Sequence, residues 1–151
     1  MRVRTFPARV TARQIGAVVR FLPVFEAIAP DGFVHYDKPT KRVGKTVVLG
    51  HLMYHPAVCE FERACYESGL VQSFDWGAWS DEVRKYIDDA RLLGSADLGI
   101  CIKLITAHLR AERFCEGHLE GVLRSGHINA ILRRLKQLEE EAKSNARTGT
   151  N

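Results

Sequence analysis

Between Thr106 and Gly117 the chain reads TAHLRAERFCEG, which sets two arginines, a phenylalanine, a glutamate and a glycine where an apolar helix runs out. Thr106, Arg110, Arg113 and Gly117 stand at i, i+4, i+7 and i+11, one face of a helix that continues that far. Arg113 and Glu116 are three apart and spaced to pair. Two guanidiniums on one face can grip a phosphate or carboxylate, the Thr106 hydroxyl can donate to the same ligand, and Glu116 can orient them or serve as a base. The competing and favoured expectation is structural. Arg110 and Arg113 would pair with acids of the middle segment, such as Asp75 or Asp97, and lock two helices together, with Gly117 allowing close approach.

Other chemistry-bearing residues give weaker patterns. Lys38, Lys41, Arg42 and Lys45 make a basic loop that can touch phosphates without reading bases, or simply be solvated. VGKTV at Val43 to Val47 resembles the end of a phosphate-binding loop, but Pro39 stands where that loop needs its first glycine. His51, His55 and Cys59 are four apart, and Cys115 and His118 three apart, spacings that suit two zinc ligands on a helix. No Cys-x-x-Cys completes a closed site, and neither a metal nor another cofactor is expected. Trp76 and Trp79 fit one stripe with Val83 and Tyr86, which favours the core over partner binding.

These residues need elements to position them. Thr11 caps a first helix with Ile15, Val18, Val19 and Leu22 inward, and Pro23 ends it and opens a short second turn. Phe33 to Tyr36 and Thr46 to Leu49 are two β-like pieces that the basic loop would join into a hairpin within residues 33–49. Pro56 opens a helix ending at Gly69; Asp75 caps another over Phe74 to Ile87; Ser95 or Asp97 starts the most apolar helix, which reaches about Phe114. Gly126 then separates Glu116 to Leu123 from a last helix, His127 to about Lys143. The expected architecture is an all-α, single-domain bundle of about six helices over residues 1–143, with residues 144–151 a disordered tail.

Composition sets the outer bounds. A chain of 151 residues, 46% hydrophobic and 26% charged, is of ordinary globular make-up and long enough for one core. It has no run long and apolar enough for a bilayer and no secretory signal, so a cytoplasmic location is expected. The spacing of Cys59, Cys65, Cys101 and Cys115 suits reduced thiols better than a disulfide framework. The net charge of +4 divides into +6 over residues 1–45, −5 over 46–100 and +3 over 101–151. Basic ends can attract nucleic acid or an acidic protein, or fold against the acidic middle.

SFDW at Ser73 to Trp76 with Trp79, ADL at Ala96 to Leu98, KLIT at Lys103 to Thr106, RAERFCEG at Arg110 to Gly117 and ILRRL at Ile131 to Leu135 together resemble a family of small prokaryotic proteins known only as a domain of unknown function. The resemblance covers roughly residues 22–138 and marks Arg110, Arg113, Phe114, Glu116 and Gly117 as an Arg-x-x-Arg-Phe-x-Glu-Gly pattern. It implies a helical fold and no particular activity, substrate or cofactor. The residues support two functions. The first is a non-enzymatic binding or regulatory protein that engages an acidic protein or nucleic acid through Lys38, Lys41, Arg42 and Lys45. The second is a small enzyme or ligand-binding protein for a phosphorylated or nucleotide-like ligand held by Thr106, Arg110, Arg113 and Glu116. Neither oligomeric state nor enzymatic character follows from the sequence.

Overall fold

The Thr11 side chain accepts from the Gln14 amide while Gln14 reaches back to the Thr11 amide, a capping box that starts α1, Ala12–Val19. Pro23 sits in the first turn of α2, Leu22–Glu26, where its missing amide proton costs nothing. A computed structural model describes residues 6–37, 41–48 and 50–148. Among the described residues, four short strands follow α2: β1 Val34–Tyr36, β2 Lys41–Val43, β3 Thr46–Val48 and β4 Leu52–Tyr54. The helices α3 Pro56–Glu67, α4 Ser80–Asp88, α5 Ala90–Gly94, α6 Leu98–Phe114, α7 His118–Arg124 and α8 His127–Thr148 follow. The molecule is predominantly α-helical and has one core, as its pattern predicts.

The strands depart from the expected pairing. Thr46 to Val48 does not meet Phe33 to Tyr36. Gly44, at φ +61°, and Lys45 close a tight turn, so β3 pairs with its immediate neighbour β2 in the register Val43↔Thr46. The short loop costs less chain entropy to close than the long one. β1 is left for β4, with Val34 opposite Tyr54. The result is two separate antiparallel pairs.

Two helix boundaries also move. Phe74 to Trp79 is an irregular turn, in which Asp75 accepts from the Ala78 amide, and α4 begins only at Ser80. The last helix does not stop near Lys143. α8 continues to Thr148, so residues 144–148 of the expected tail belong to it, and the Glu139 to Lys143 ion pair at i, i+4 supports its final turns.

α8 is the hub, packed against α1, α2, α5, α6 and α7. Ile131, Leu132 and Leu135 of α8 and Ile102, Leu104, Ile105 and Leu109 of α6 are almost wholly buried. Each such side chain stabilises the fold by about 1.5–3 kcal/mol relative to exposure. A second cluster packs Phe25 edge-on against Phe61 at 5.1 Å and against Phe33 at 5.9 Å, fixing α2 and the residue just ahead of the first strand to α3.

The reversal from α6 into α7 depends on one carboxylate. Asp97 caps the start of α6 by accepting from the Ile100 amide, but Gly117, which caps α7, has no side chain with which to do so. Gly117 is glycine because its φ is +94°; a Cβ there would meet nothing within 4 Å, so close helix approach is not its role. Glu112 supplies the missing cap from the last turn of α6. Its Oε1 accepts from the Gly117 amide at 3.1 Å and from the Tyr54 hydroxyl at 2.6 Å, and its Oε2 accepts from the Leu119 amide at 2.9 Å. The Tyr54 hydroxyl in turn accepts from the Glu120 amide at 3.2 Å. Burial pushes the Tyr54 phenol well above its ordinary value, and the adjacent Glu112 carboxylate adds to the effect.

Replacing Glu112 by Gln exchanges one accepting oxygen for a donor that faces a donor. The expected loss is about 1–3 kcal/mol in urea unfolding, with Tyr54→Phe losing about 1 kcal/mol. An unchanged midpoint in Glu112→Gln would show that this joint does not hold α7.

Candidate functional site

Thr106 lies on α6, is almost fully buried, and spends its hydroxyl within the fold. Its Oγ1 accepts from the Gln72 amide at 3.1 Å and donates to the Leu70 carbonyl at 3.4 Å. These bonds pin the chain after α3 across α6. The hydroxyl expected to meet a ligand is thus the fastener that forms one wall of a groove. Gln72, Ser73, Phe74 and Trp76 line that wall, and Arg110, Arg113 and Phe114 of α6 line the other, enclosing about 270 Å³.

Arg110 and Arg113 do not make the ion pairs anticipated for them. Asp97 is at the far end of α6, about 20 Å from Arg110 along a helix rising 1.5 Å per residue. The Asp75 carboxylate is turned onto its own loop. Arg113 does not pair with Glu116, because the helix ends at Phe114 and the i, i+3 face no longer exists there. Glu116 is exposed in the turn and does not line the groove. Among the described residues, neither guanidinium takes part in a hydrogen bond or ion pair. Both instead approach the Tyr66 ring of α3, Arg110 at 5.6 Å and Arg113 at 5.3 Å from its centre. Glu62, also on α3, feels the Arg113 charge, yet burial outweighs it and raises the Glu62 carboxyl above its ordinary value.

The groove also has an aromatic ridge. Trp76 and Trp79 do not share the helical stripe expected of them, because helix α4 starts after both. Trp79 packs on the core between Phe74 at 5.9 Å and Tyr86 at 6.0 Å. Trp76 turns instead to Phe114, at 5.7 Å and 34° between planes. Phe114 is 81% exposed, so most of its ring lies open to solvent beside Trp76.

The basic loop stands elsewhere in the fold. Lys38 falls outside the described residues. Lys41 belongs to β2, while Arg42 and Lys45 are exposed on the β2–β3 ribbon and do not line the groove. Of the zinc-spaced residues, His55 accepts from the Ala57 amide through Nδ1 and so caps α3, and Cys59 and Cys115 are exposed. Among the described residues, no three of His, Cys, Asp and Glu are arranged to hold a metal.

A cluster that the sequence did not reveal lies under α7. His108 of α6, His118 of α7 and His127 of α8 come together, with His108 Nδ1 3.0 Å from His118 Nε2 and the His127 ring edge-on to His108 at 4.9 Å. The Nε2 atoms of His108 and His127 are buried without a partner among the described residues. Burial holds His108 down to about 3, with His127 and His118 adding repulsion, and holds His127 down to about 4 with His118 adding. His118 is lowered by burial as well, against the opposing pull of Glu112. The only signal in the sequence was His108 beside an apolar stripe; its partners sit on two other helices, ten and nineteen residues further on.

The three rings are neutral in the fold and gain protons on unfolding at ordinary histidine values near 6.5. Their contribution to stability is therefore present above pH 6.5 and is lost as the pH falls toward 4. Each depressed histidine steepens that fall by up to about 1.4 kcal/mol per pH unit. In urea unfolding between pH 7 and 4, His127→Leu is expected to flatten the slope by about that amount. An unaltered slope would mean that His127 titrates alike in both states.

Neither the curated proteins nor the solved structures include a match to this chain. A model of a family of unknown function, DUF6508, matches residues 10–141, which takes in α1, the histidine cluster, both walls of the groove and most of α8. On that match, the chain belongs to the DUF6508 family.

Proposed function

We propose that the protein binds an anionic, ring-bearing ligand of nucleotide type in the groove between α6 and the segment after α3, with Arg110 and Arg113 as its anion clamp. The observation that carries this is the pair of guanidiniums converging on Tyr66 with no acid among the described residues bonded to either. Two guanidiniums beside one ring, in a groove where no described residue supplies a counter-ion by hydrogen bond, favour an incoming phosphate or carboxylate. Trp76 and Phe114 offer a base or similar ring a stacking surface beside the charge. Thr106 contributes by holding the Gln72 wall in place. Glu116 is outside the groove, so this reading assigns it no acid or base role and needs no reaction. The Arg-x-x-Arg-Phe portion of the marked pattern is then the ligand's half, and the Glu-Gly portion belongs to the α6–α7 turn. Four free thiols, with Cys101 pushed up to about 12 by burial, suit a reducing cytoplasmic setting.

Titration with adenosine monophosphate, adenosine and inorganic phosphate, followed by tryptophan fluorescence and calorimetry, tests the assignment. Arg110→Gln and Arg113→Gln are each expected to weaken the nucleotide by about tenfold, which corresponds to one charge-assisted bond. Phe114→Ala should weaken the nucleotide and adenosine while sparing phosphate, and Glu116→Gln should alter neither. Equal binding by wild type and both arginine variants would dispose of the clamp.

A second reading rests on the β2–β3 ribbon. Between Lys41 and Val48 it carries three basic side chains and no acid, and Val43 and Val47 on it are 66% and 53% exposed. Such a ribbon suits the phosphates of a nucleic acid. Arg42→Gln with Lys45→Gln should then lower the slope of log affinity against log salt for duplex DNA by about 2. An unchanged slope would remove the ribbon as a contact.

A further inference from the structure

A second cavity lies across Trp76 from the groove, between α4 and α6. Its walls are apolar, formed by Trp76, Val83, Ile87, Ala107 and Ala111, and it encloses about 220 Å³. An apolar cavity of about 150 Å³ already accepts a benzene ring, so this one has room for a ring with a short substituent. Its polar groups are few. His108 and His118 lie on one side, with Ser80 and Arg84 on α4.

The hydrogen bond between the two histidines decides what the cavity offers. If His118 Nε2 were the donor, His108 would carry its proton on Nε2, which is buried and has no acceptor among the described residues. A buried donor without an acceptor is the costlier defect. His108 Nδ1 therefore donates to His118 Nε2, and His108 keeps a bare lone pair on Nε2. His118 must then carry its proton on Nδ1, which no described residue accepts. Arg84 is exposed and likewise takes part in no hydrogen bond or ion pair among the described residues. The cavity thus combines an apolar body with lining residues that carry donors, Arg84, His118, Ser80 and Trp76, of which Arg84 alone is cationic, and no carboxylate among them.

We propose that this cavity is a binding site for a small carboxylic acid with an apolar, ring-sized body, its carboxylate held by Arg84 and by the Nδ1 proton of His118. The apolar walls supply affinity by desolvating the ring. The carboxylate pairs with Arg84 in preference to the hydroxyl of Ser80 or the indole N–H of Trp76, because a charge-assisted bond is the stronger one. Buried His108 acts as a positioning residue, fixing the tautomer that makes His118 a donor. The site is distinct from the Arg110 and Arg113 groove, sharing only Trp76 with it.

Phenylacetate is the probe, with phenylacetamide as its neutral match, each titrated by calorimetry and by heteronuclear NMR at pH 7.5. The expected result is saturable phenylacetate binding with Kd of about 1 mM or tighter, and shifts centred on Val83, Ala107 and Ala111. Arg84→Gln, at an exposed position, should weaken phenylacetate by about fivefold and leave the amide unchanged. Ala111→Leu, which fills the cavity, should abolish both. Arg110→Gln with Arg113→Gln should bind phenylacetate as the wild type does. Lack of saturation, equal losses for acid and amide in Arg84→Gln, or loss of binding only in the arginine pair of the groove would each overturn the site.

Discussion

The Glu112 carboxylate is where three parts of the molecule are joined. It belongs to the last turn of α6, accepts from two amides at the start of α7, and receives the hydroxyl of Tyr54 from β4. A helix that starts at a glycine has exposed donors and no cap of its own. By satisfying them from the preceding helix, Glu112 folds α7 back against α6. That return places His118 against His108 and leaves α6 ending at Phe114, so its final turn carries Arg113 and Phe114 to the surface. The groove, the cavity and the histidine cluster all take their shape from this turn.

α6 serves all three because its faces diverge. Ile102, Ile105 and Leu109 fill the core, Arg110 and Arg113 face the segment after α3, and Ala107, His108 and Ala111 face α4. Burial on the first face offsets the costs on the other two. Several side chains at about 1.5–3 kcal/mol each outweigh the cost of two guanidiniums held without a bonded acid and of two buried imidazole nitrogens that have no partner among the described residues. A helix so anchored can hold polar groups in arrangements that a less buried one would relax. The alanines matter as much as the charges, since larger side chains at 107 and 111 would occupy the cavity they line.

Much of this fold was legible because it is written locally. Thr11, Pro23, Pro56 and Asp97 mark helix starts by chemistry that acts within a few residues, and the structure places helices at each. The strand pairing was not legible in the same way: two β-like pieces do not say which neighbours they choose, and the tight Gly44–Lys45 turn decided it. Trp76 misled because its spacing from Val83 fits a helix, whereas Asp75 bonds a turn and delays the helix to Ser80. The segment 106–117 could be recognised as a polar joint, but not which residue makes it. Glu112 reads as one more charge between two arginines until α7 is seen folding onto it. The three histidines lie on separate helices, so no spacing in the chain could announce their contact.

The charge around Arg110 and Arg113 follows from how nearby acids are already used. Glu112 is engaged by three donors, Asp75 by its own turn and Asp97 by the far end of α6. Glu62 feels the Arg113 charge, and burial works against its ionisation. Among the described residues, no acid of the middle segment forms a hydrogen bond or ion pair with either arginine, although its net charge of −5 gave reason to expect one. Tyr66 offers them the negative face of a ring, a weak substitute for a carboxylate. An anion entering the groove would meet donors that need not first be released from an internal partner, and that saving in reorganisation favours a bound anion over a solvated one.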